Sequence, residues 1–332
     1  MDWQSLFGLS LQQMIGPTAV IYCLAAIGLN VHFGYTGLLN FGQAGFMAVA
    51  AYTMTSFVTT WGLSLWLGLV VGLGVSVVLA LLLGVPTLRL RADYLAIVTI
   101  AAAEIIRQTV GSASLVDYFG GQDGLTDFIA DFRNLNPFSG EYGIPGLVEW
   151  RAYDWFVMVV GWIVVALSCL VVWALMRSPW GRVLKSIRED EDAVRSLGKN
   201  VYAYKMQSLV IGGLFGALAG FFTAFRSAAV GPSFFATDIT FFAYTVLLIG
   251  GAARVFGPVV GSMILWFLLT FLGEFFAQAT SGANPLIPTA IMTSNQASLM
   301  RFVFLGLGLM LLMIYRPQGI FGDRKELALD AR

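Results

Sequence analysis

Residues 155–176 read WFVMVVGWIVVALSCLVVWALM, and residues 177–205 continue RSPWGRVLKSIREDEDAVRSLGKNVYAYK. The first stretch carries no charge. At a rise of about 1.5 Å per residue it is long enough to cross a hydrocarbon core roughly 30 Å thick. The second holds Arg177, Arg182, Lys185, Arg188, Arg195, Lys199 and Lys205, seven of the chain's 19 basic residues. A charge-free run that ends on a dense basic segment reads as a membrane-spanning helix leaving the bilayer on its cytoplasmic side.

Composition extends that reading to the whole chain. Of 332 residues, 58% are hydrophobic and only 11% charged, with mean hydropathy +0.79. A soluble domain has about 45–50% apolar and about 25% charged residues, so this chain has too few charges to cover a water-facing surface. The same numbers exclude disorder, collagen-like repeats and a disulfide scaffold. Cys23 and Cys169 both lie in apolar runs and suggest neither a disulfide nor a metal site. Net charge is zero, so nothing points to nucleic acid. The expected fold is an all-α polytopic membrane protein, a single transmembrane domain over 1–332 with the lipid bilayer as outer solvent.

Apolar runs place spans at 14–33, 38–60, 63–85, 94–110, 155–176, 206–225, 239–253, 257–276 and 299–315, about nine, with eight to ten defensible. Segment 38–60 is polar and Gly-rich and 239–253 is short; either reads equally as a broken or re-entrant helix. Arg89 and Arg91 form a second basic loop, and Arg316, Arg324 and Lys325 a third. Segment 111–154 is acidic, with Asp117, Asp123, Asp127, Asp131, Glu141, Glu149 and Asp154 against Arg133 and Arg151. The basic segments and the C-terminus are therefore expected in the cytoplasm, and loop 111–154 outside, as a turn-rich cap. Residues 1–13 lack Lys and Arg, which puts them outside and leaves no positive start for a removable signal peptide. Glycines puncture 34–52 and 250–268 alike, a weak internal echo.

Inside the basic segment, Ser178-Pro179 starts a helix with Trp180, Val183, Leu184 and Ile187 on one face. Asp190 caps a second short helix, Glu191 and Asp192 occupy its positive first turn, and Gly198 ends it. Such an element fits a groove on a partner protein or lies on anionic lipid; the residues leave both open. Glu104 and Arg107 are three apart on one helix, so they can pair with each other or face a hydrated path. Asn30, Asn40 and Gln43 suit a substrate path or helix–helix hydrogen bonds. Gly212, Gly216 and Gly220, and likewise Gly257 and Gly261, form strips that admit a close neighbouring helix. His32 reads as a structural or pore-facing imidazole. Glu274, Asp238 and Arg226 read as solvated groups near the external interface. No catalytic constellation is present. The one Gly-Lys pair, Gly198-Lys199, precedes Asn200, so no phosphate-binding loop is formed.

GRVLKSIREDEDAVRSLGKNVYAYK resembles the coupling loop of branched-chain amino acid ABC importer permeases. RADYLAIVTIAAAEIIRQTVG (91–111), GGQDGLTD (120–127), LLIGGAARVFGPVVGSMIL (247–265), GLNVHFGYTGLLNFGQAGFMAVAAY (28–52) and YRPQGIFG (315–322) match the same family in order. Within it the chain is similar to the M-type subunit; urea and short-chain amide permeases share nearly the same motifs. The resemblance implies a non-enzymatic subunit without cofactor or metal, set in the plasma (inner) membrane of a prokaryote. Its implied partners are a second H-type permease, two ATP-binding cassette subunits and an extracytoplasmic substrate-binding protein. Arg188, Glu189, Asp190, Glu191, Asp192, Ala193, Arg195 and Gly198 would then couple to an ATPase, while Asn30, Asn40, Gln43, Glu104 and Arg107 are candidates for the translocation path. Two readings compete from other classes. One is an ion-coupled secondary transporter using Glu104, Asp238 or His32; the other is a passive channel, which lacks a recognisable filter.

Overall fold

The computed structural model describes residues 2–89, 92–145, 148–280 and 293–322. The helices are α1 (Trp3–Ile15), α2 (Pro17–Leu29), α3 (Gln43–Thr59), α4 (Leu65–Thr87), α5 (Ala92–Val110), α6 (Val116–Phe119), α7 (Ala130–Asn134), α8 (Ala152–Arg177), α9 (Pro179–Glu189), α10 (Glu191–Ser196), α11 (Val201–Ser227), α12 (Asp238–Gly250), α13 (Gly257–Thr280) and α14 (Ser294–Tyr315). Strand β1 (Leu125–Thr126) pairs antiparallel with β4 (Ala229–Val230), Leu125 opposite Val230. Strand β2 (Glu141–Ile144) pairs antiparallel with β3 (Val148–Arg151), Glu141 opposite Arg151. The chain is an all-α polytopic membrane protein. Arg91, Arg324 and Lys325, which entered the reading of the loops, lie outside the described residues.

Among the described residues, seven helical stretches are long and apolar enough to cross a membrane, and eight if the pair Tyr94–Val110 and Ala113–Phe119, bent by 61°, is one span. Two of the expected spans are drawn differently. The run 14–33 becomes one span over Pro17–Tyr35 with a later start: α1 stops at Gly16, and Pro17 opens α2 in the first-turn position, where its missing N–H costs nothing. The run 38–60 is helical only from Gln43. That leaves a 17-residue helix, about 26 Å long at 1.5 Å per residue, preceded by the non-helical stretch 37–42.

Helix α2 holds the centre of the bundle. Its residues are apolar or small on all sides, the pattern of a fully enclosed helix, and every one except Tyr22 is buried. Helices α11, α12, α8 and α13 pack on it. Its last turns widen into a π-helical segment, Asn30–Tyr35. Helix α14 lies at the other extreme, with Leu299, Val303, Leu307, Met310 and Ile314 exposed. The bundle has a basic end, carrying α9 and α10, and an acidic end, carrying 111–151.

Candidate functional site

A polar cluster sits where α2 gives way to the 37–42 stretch. Asn30, His32, Thr36, Asn40, Gln43 and Ser208 are all buried. His32 Nε2 lies 3.1 Å from Leu209 O. A carbonyl only accepts, so Nε2 carries the proton. His32 Nδ1 then accepts from Asn40 Nδ2 at 3.0 Å. The second Asn40 Nδ2 hydrogen points to Gln43 Oε1 at 3.4 Å, and Asn40 Oδ1 accepts from Gly42 N at 2.9 Å. Gln43 Nε2 donates to Ala25 O and Gly212 O at 3.3 and 3.2 Å. Both amide groups and the imidazole have thus placed every side-chain hydrogen. Such a closed network fits a neutral imidazole, since a proton on Nδ1 would face the Asn40 donor.

Asn30 makes a second tie. Its Oδ1 accepts from Ala253 N and its Nδ2 donates to Arg254 O, both at 2.8 Å. It thereby satisfies backbone groups in the break between α12 and α13, which no helix supplies. The three polar residues considered for a substrate path are therefore brought together as hydrogen-bonding pins between helices.

The glycine strip of α11 explains how the helices come so close. A Cβ at Gly212 would lie 2.2 Å from His32 Nε2, one at Gly216 would lie 2.7 Å from Gln43 Nε2, and one at Gly220 would lie 2.2 Å from Met47 O. Its neighbours are α2 with the π-turn and α3 of the same chain. Gly257 and Gly261 do the same between α13 and α12, with Cβ positions 2.2 Å from Gly251 O and 2.0 Å from Val246 O.

At the basic end α9 and α10 form a braced pair. Leu184 and Ile187 are buried, and Trp180 Nε1 donates to Gln207 Oε1 at 2.7 Å. Arg188 Nη1 donates to Gly34 O at 2.6 Å and its guanidinium pairs with Glu189 at 2.8 Å. Gly37, in the left-handed region at φ +73°, passes beneath the Arg188 side chain. Asp190 Oδ1 accepts from Asp192 N and Ala193 N, both at 3.0 Å. Gly198 has φ +74°; its N–H reaches Arg195 O, and Lys199 N reaches Val194 O, which closes the helix end in the double-bonded left-handed manner. Glu191 pairs with Arg195 and Lys205, and Asp192 with Arg195. Asp192, Ala193 and Arg195 stay exposed. Leu197, which the sequence reading passed over, is 80% exposed beside them. An apolar side chain between a helix end and a glycine was the available signal.

Residues 15–314 match the family model described as the branched-chain amino acid transport system / permease component. The chain belongs to this family. It is 31% identical, over 92% of its length and 69% of the relative's, to the high-affinity branched-chain amino acid transport system permease protein LivM of Salmonella typhimurium. It is 24% identical to a probable LivM of Methanocaldococcus jannaschii, with 92% and 91% covered. The LivH protein of Salmonella typhimurium is 22% identical, with 94% and 95% covered. The permease is therefore of the M type, with H-type proteins as more distant relatives.

In this permease Glu104 and Arg107 pair in two parallel bonds on α5, Arg107 Nε to Oε2 at 2.8 Å and Nη2 to Oε1 at 2.6 Å, with Gln108 Nε2 adding a third at 2.8 Å. The carboxylate side chain is 40% exposed, on the outside of the bundle beside Ile105 and Ile97. Asp238 begins α12 and accepts from Ile239 N at 3.0 Å. Arg226 and Glu274 lie on α11 and α13 toward the acidic end. Among the described residues no group of three or more His, Cys, Asp or Glu could hold a metal ion.

Proposed function

We propose that this permease is the M-type membrane subunit of an ATP-driven importer of branched-chain amino acids. It would form half of the translocation path beside a second, homologous H-type permease. Two ATP-binding cassette subunits would dock at the basic end and an extracytoplasmic binding protein at the acidic end. The setting is a prokaryotic inner membrane, with the C-terminus in the cytoplasm. The cargo follows from the named activity of the LivM relatives.

The observation that carries the coupling role is the Arg188 brace. Helix α10 presents Asp192, Ala193, Arg195 and Leu197 to the outside, while α9 is anchored through Arg188 to Gly34 in the π-turn. Gly34 abuts Asn30, whose Oδ1 a Cβ at position 34 would approach to 2.1 Å. Asn30 in turn holds the break between α12 and α13. A push on α10 therefore has a continuous, rigidly bonded route into two helix breaks. When nucleotide binding draws the ATPases together, that route would rock the helices between outward- and inward-open forms. The Glu104–Arg107 pair would sit on the α5 face that meets the second permease.

The closed His32 network weighs against an ion-coupled transporter. A proton on His32 Nδ1 would require Asn40 to turn its amide oxygen toward the ring, which breaks its bond from Gly42 N. The test is leucine uptake in cells that carry the full set of subunits. Uptake should stop when an ATPase subunit is inactivated. Uptake that survives would favour ion coupling, and uptake of urea or amides with none of leucine would reassign the cargo.

A further inference from the structure

A cavity of about 570 Å³ opens between α2, α11, α12, α13 and α14, toward the acidic end. It is well within the size range of small-molecule sites, roughly 300–1,000 Å³. Three charged residues line it from three helices: Arg226, Glu274 and Arg301. None of them is in a salt bridge among the described residues, although both signs share one cavity. Arg226 is exposed at the end of α11, whereas Glu274 and Arg301 are half-buried, and charges held within membrane helices are costly and normally find partners. Three buried side-chain polar atoms have no hydrogen-bond partner among the described residues: Tyr52 Oη, Trp266 Nε1 and Arg301 Nε. Two of the three belong to residues lining this cavity.

Arg301 is also held there. Most of α14 is exposed, yet this side chain lies across Gly273, where a Cβ would stand 3.3 Å from Nη1 and 3.4 Å from Cδ. Its guanidinium carbon is 4.8 Å from the centre of the Phe302 ring. Tyr22, Phe234 and Trp266 supply apolar walls. The cavity therefore offers cationic donors, one carboxylate and an aromatic surface. A simple anion would leave Glu274 without a partner, and a simple cation would leave the arginines without one.

We propose that this cavity binds a free zwitterionic α-amino acid with a large apolar side chain. The ligand carboxylate would take the donors of Arg301 and Arg226. Its ammonium would meet Glu274, and its side chain would lie against Tyr22 and Phe234. The proposal rests on the import reading and deepens it, adding a resting place for cargo inside this one subunit. An ethanolamine phospholipid headgroup shares the ammonium-plus-anion chemistry, so the experiment separates the two.

The full-length chain is purified into discs of phosphatidylglycerol, without binding protein or ATPase, and tritiated leucine binding is measured by scintillation proximity. Binding should saturate. It should be competed by isoleucine and valine but not by 4-methylpentanoate or leucinamide, each of which lacks one of the two charges. Discs doped with phosphatidylethanolamine should bind leucine equally well. Glu274→Gln and Arg301→Gln should each weaken binding at least tenfold. Analogue competition uses the unaltered protein, so it stands even if a variant misfolds. Absence of saturable binding, equal competition by 4-methylpentanoate, loss of binding in phosphatidylethanolamine, or unchanged binding by a folded Glu274→Gln chain would each overturn the site. ATP-driven leucine uptake by the complete importer is scored separately. Uptake without binding removes this site and leaves the import reading intact. Binding without uptake keeps the site and removes the import reading.

Discussion

The His32–Asn40–Gln43 cluster and the cavity around Glu274 and Arg301 are both polar regions within a membrane bundle, and they are built on opposite terms. In the first, each donor meets an acceptor, the side chains are fully enclosed, and glycines at 28, 212 and 216 press the backbone against them. In the second, charges of both signs face open volume, and two buried donors have no partner among the described residues. Burial of polarity alone does not mark a site. Saturation distinguishes a joint from a binding surface, because a saturated group has no bond left to offer a ligand.

The contrast breaks if substitutions on the two sides have similar effects on folding. Asn40→Leu should have the largest. It strands His32 Nδ1, Gln43 Oε1 and Gly42 N, at about 1–3 kcal/mol for each buried unsatisfied group. Little assembled protein should be recovered, as read by size-exclusion chromatography in detergent. Gly212→Val should follow, since even the first added carbon lands 2.2 Å from His32 Nε2 and 2.6 Å from Gly28 O. Overpacking of that kind costs about 1–3 kcal/mol or more, and the melting temperature should fall by several degrees. Glu274→Gln, by comparison, should leave the melting temperature within about a degree of the parent, as fits a group with no partner among the described residues. If Glu274→Gln unfolds the chain while Asn40→Leu does not, the distinction collapses.

An intermediate effect belongs to the Glu104–Arg107 pair, which is saturated internally yet exposed outward. Removing one partner strands the other, so Glu104→Gln and Arg107→Gln should each lower transport or assembly. The double change should recover part of the loss, with a coupling of about 1–2 kcal/mol in a thermal-unfolding cycle. Strict additivity would show that each acts alone. The smallest stability effect should come from Ala193→Arg at the exposed tip of α10, within about 0.5 kcal/mol as for surface changes generally. Its transport effect should nonetheless be large: normal subunit in the membrane, poor recovery of the ATPase, little uptake. Full uptake would make the α9–α10 pair a plain interfacial element. Cysteines introduced at Asp127 and Lys199 refine the orientation. Only the first should react with an impermeant reagent in intact cells, while Cys23 and Cys169, both buried, stay silent.

What the sequence made legible follows the range over which each signal acts. Long apolar runs, the basic segment, the Asp190 cap and the Gly198 terminus are local, and they appear in the structure where the residues place them. The break at Gly16-Pro17 was also locally written, but continuous hydropathy across 14–33 masked it. The closed network could not be read, because His32 finds its acceptor 177 residues away at Leu209 and Gln43 finds one 169 residues away at Gly212. Asn30 reads the same in sequence whether it lines a channel or ties down a loop. The cavity was hidden for a related reason. Arg226 and Glu274 looked like solvated interface charges on separate helices, and Arg301 drew no comment within an apolar span. Only the packing of α11, α13 and α14 brings the three to one volume.

The segment after α14 has one more consequence. Ile320 N reaches Ile249 O at 3.0 Å and Phe321 N reaches Gly250 O at 3.2 Å. Gly319 and Gly251, both at positive φ, leave no room for a side chain at the crossing. The carbonyls that end α12 are thus completed by residues translated some seventy positions later. During synthesis the end of α12 stays unfinished until Ile320 and Phe321 have emerged. A chain that stopped before Ile320 would carry α1 to α14 and an open seam at the end of α12.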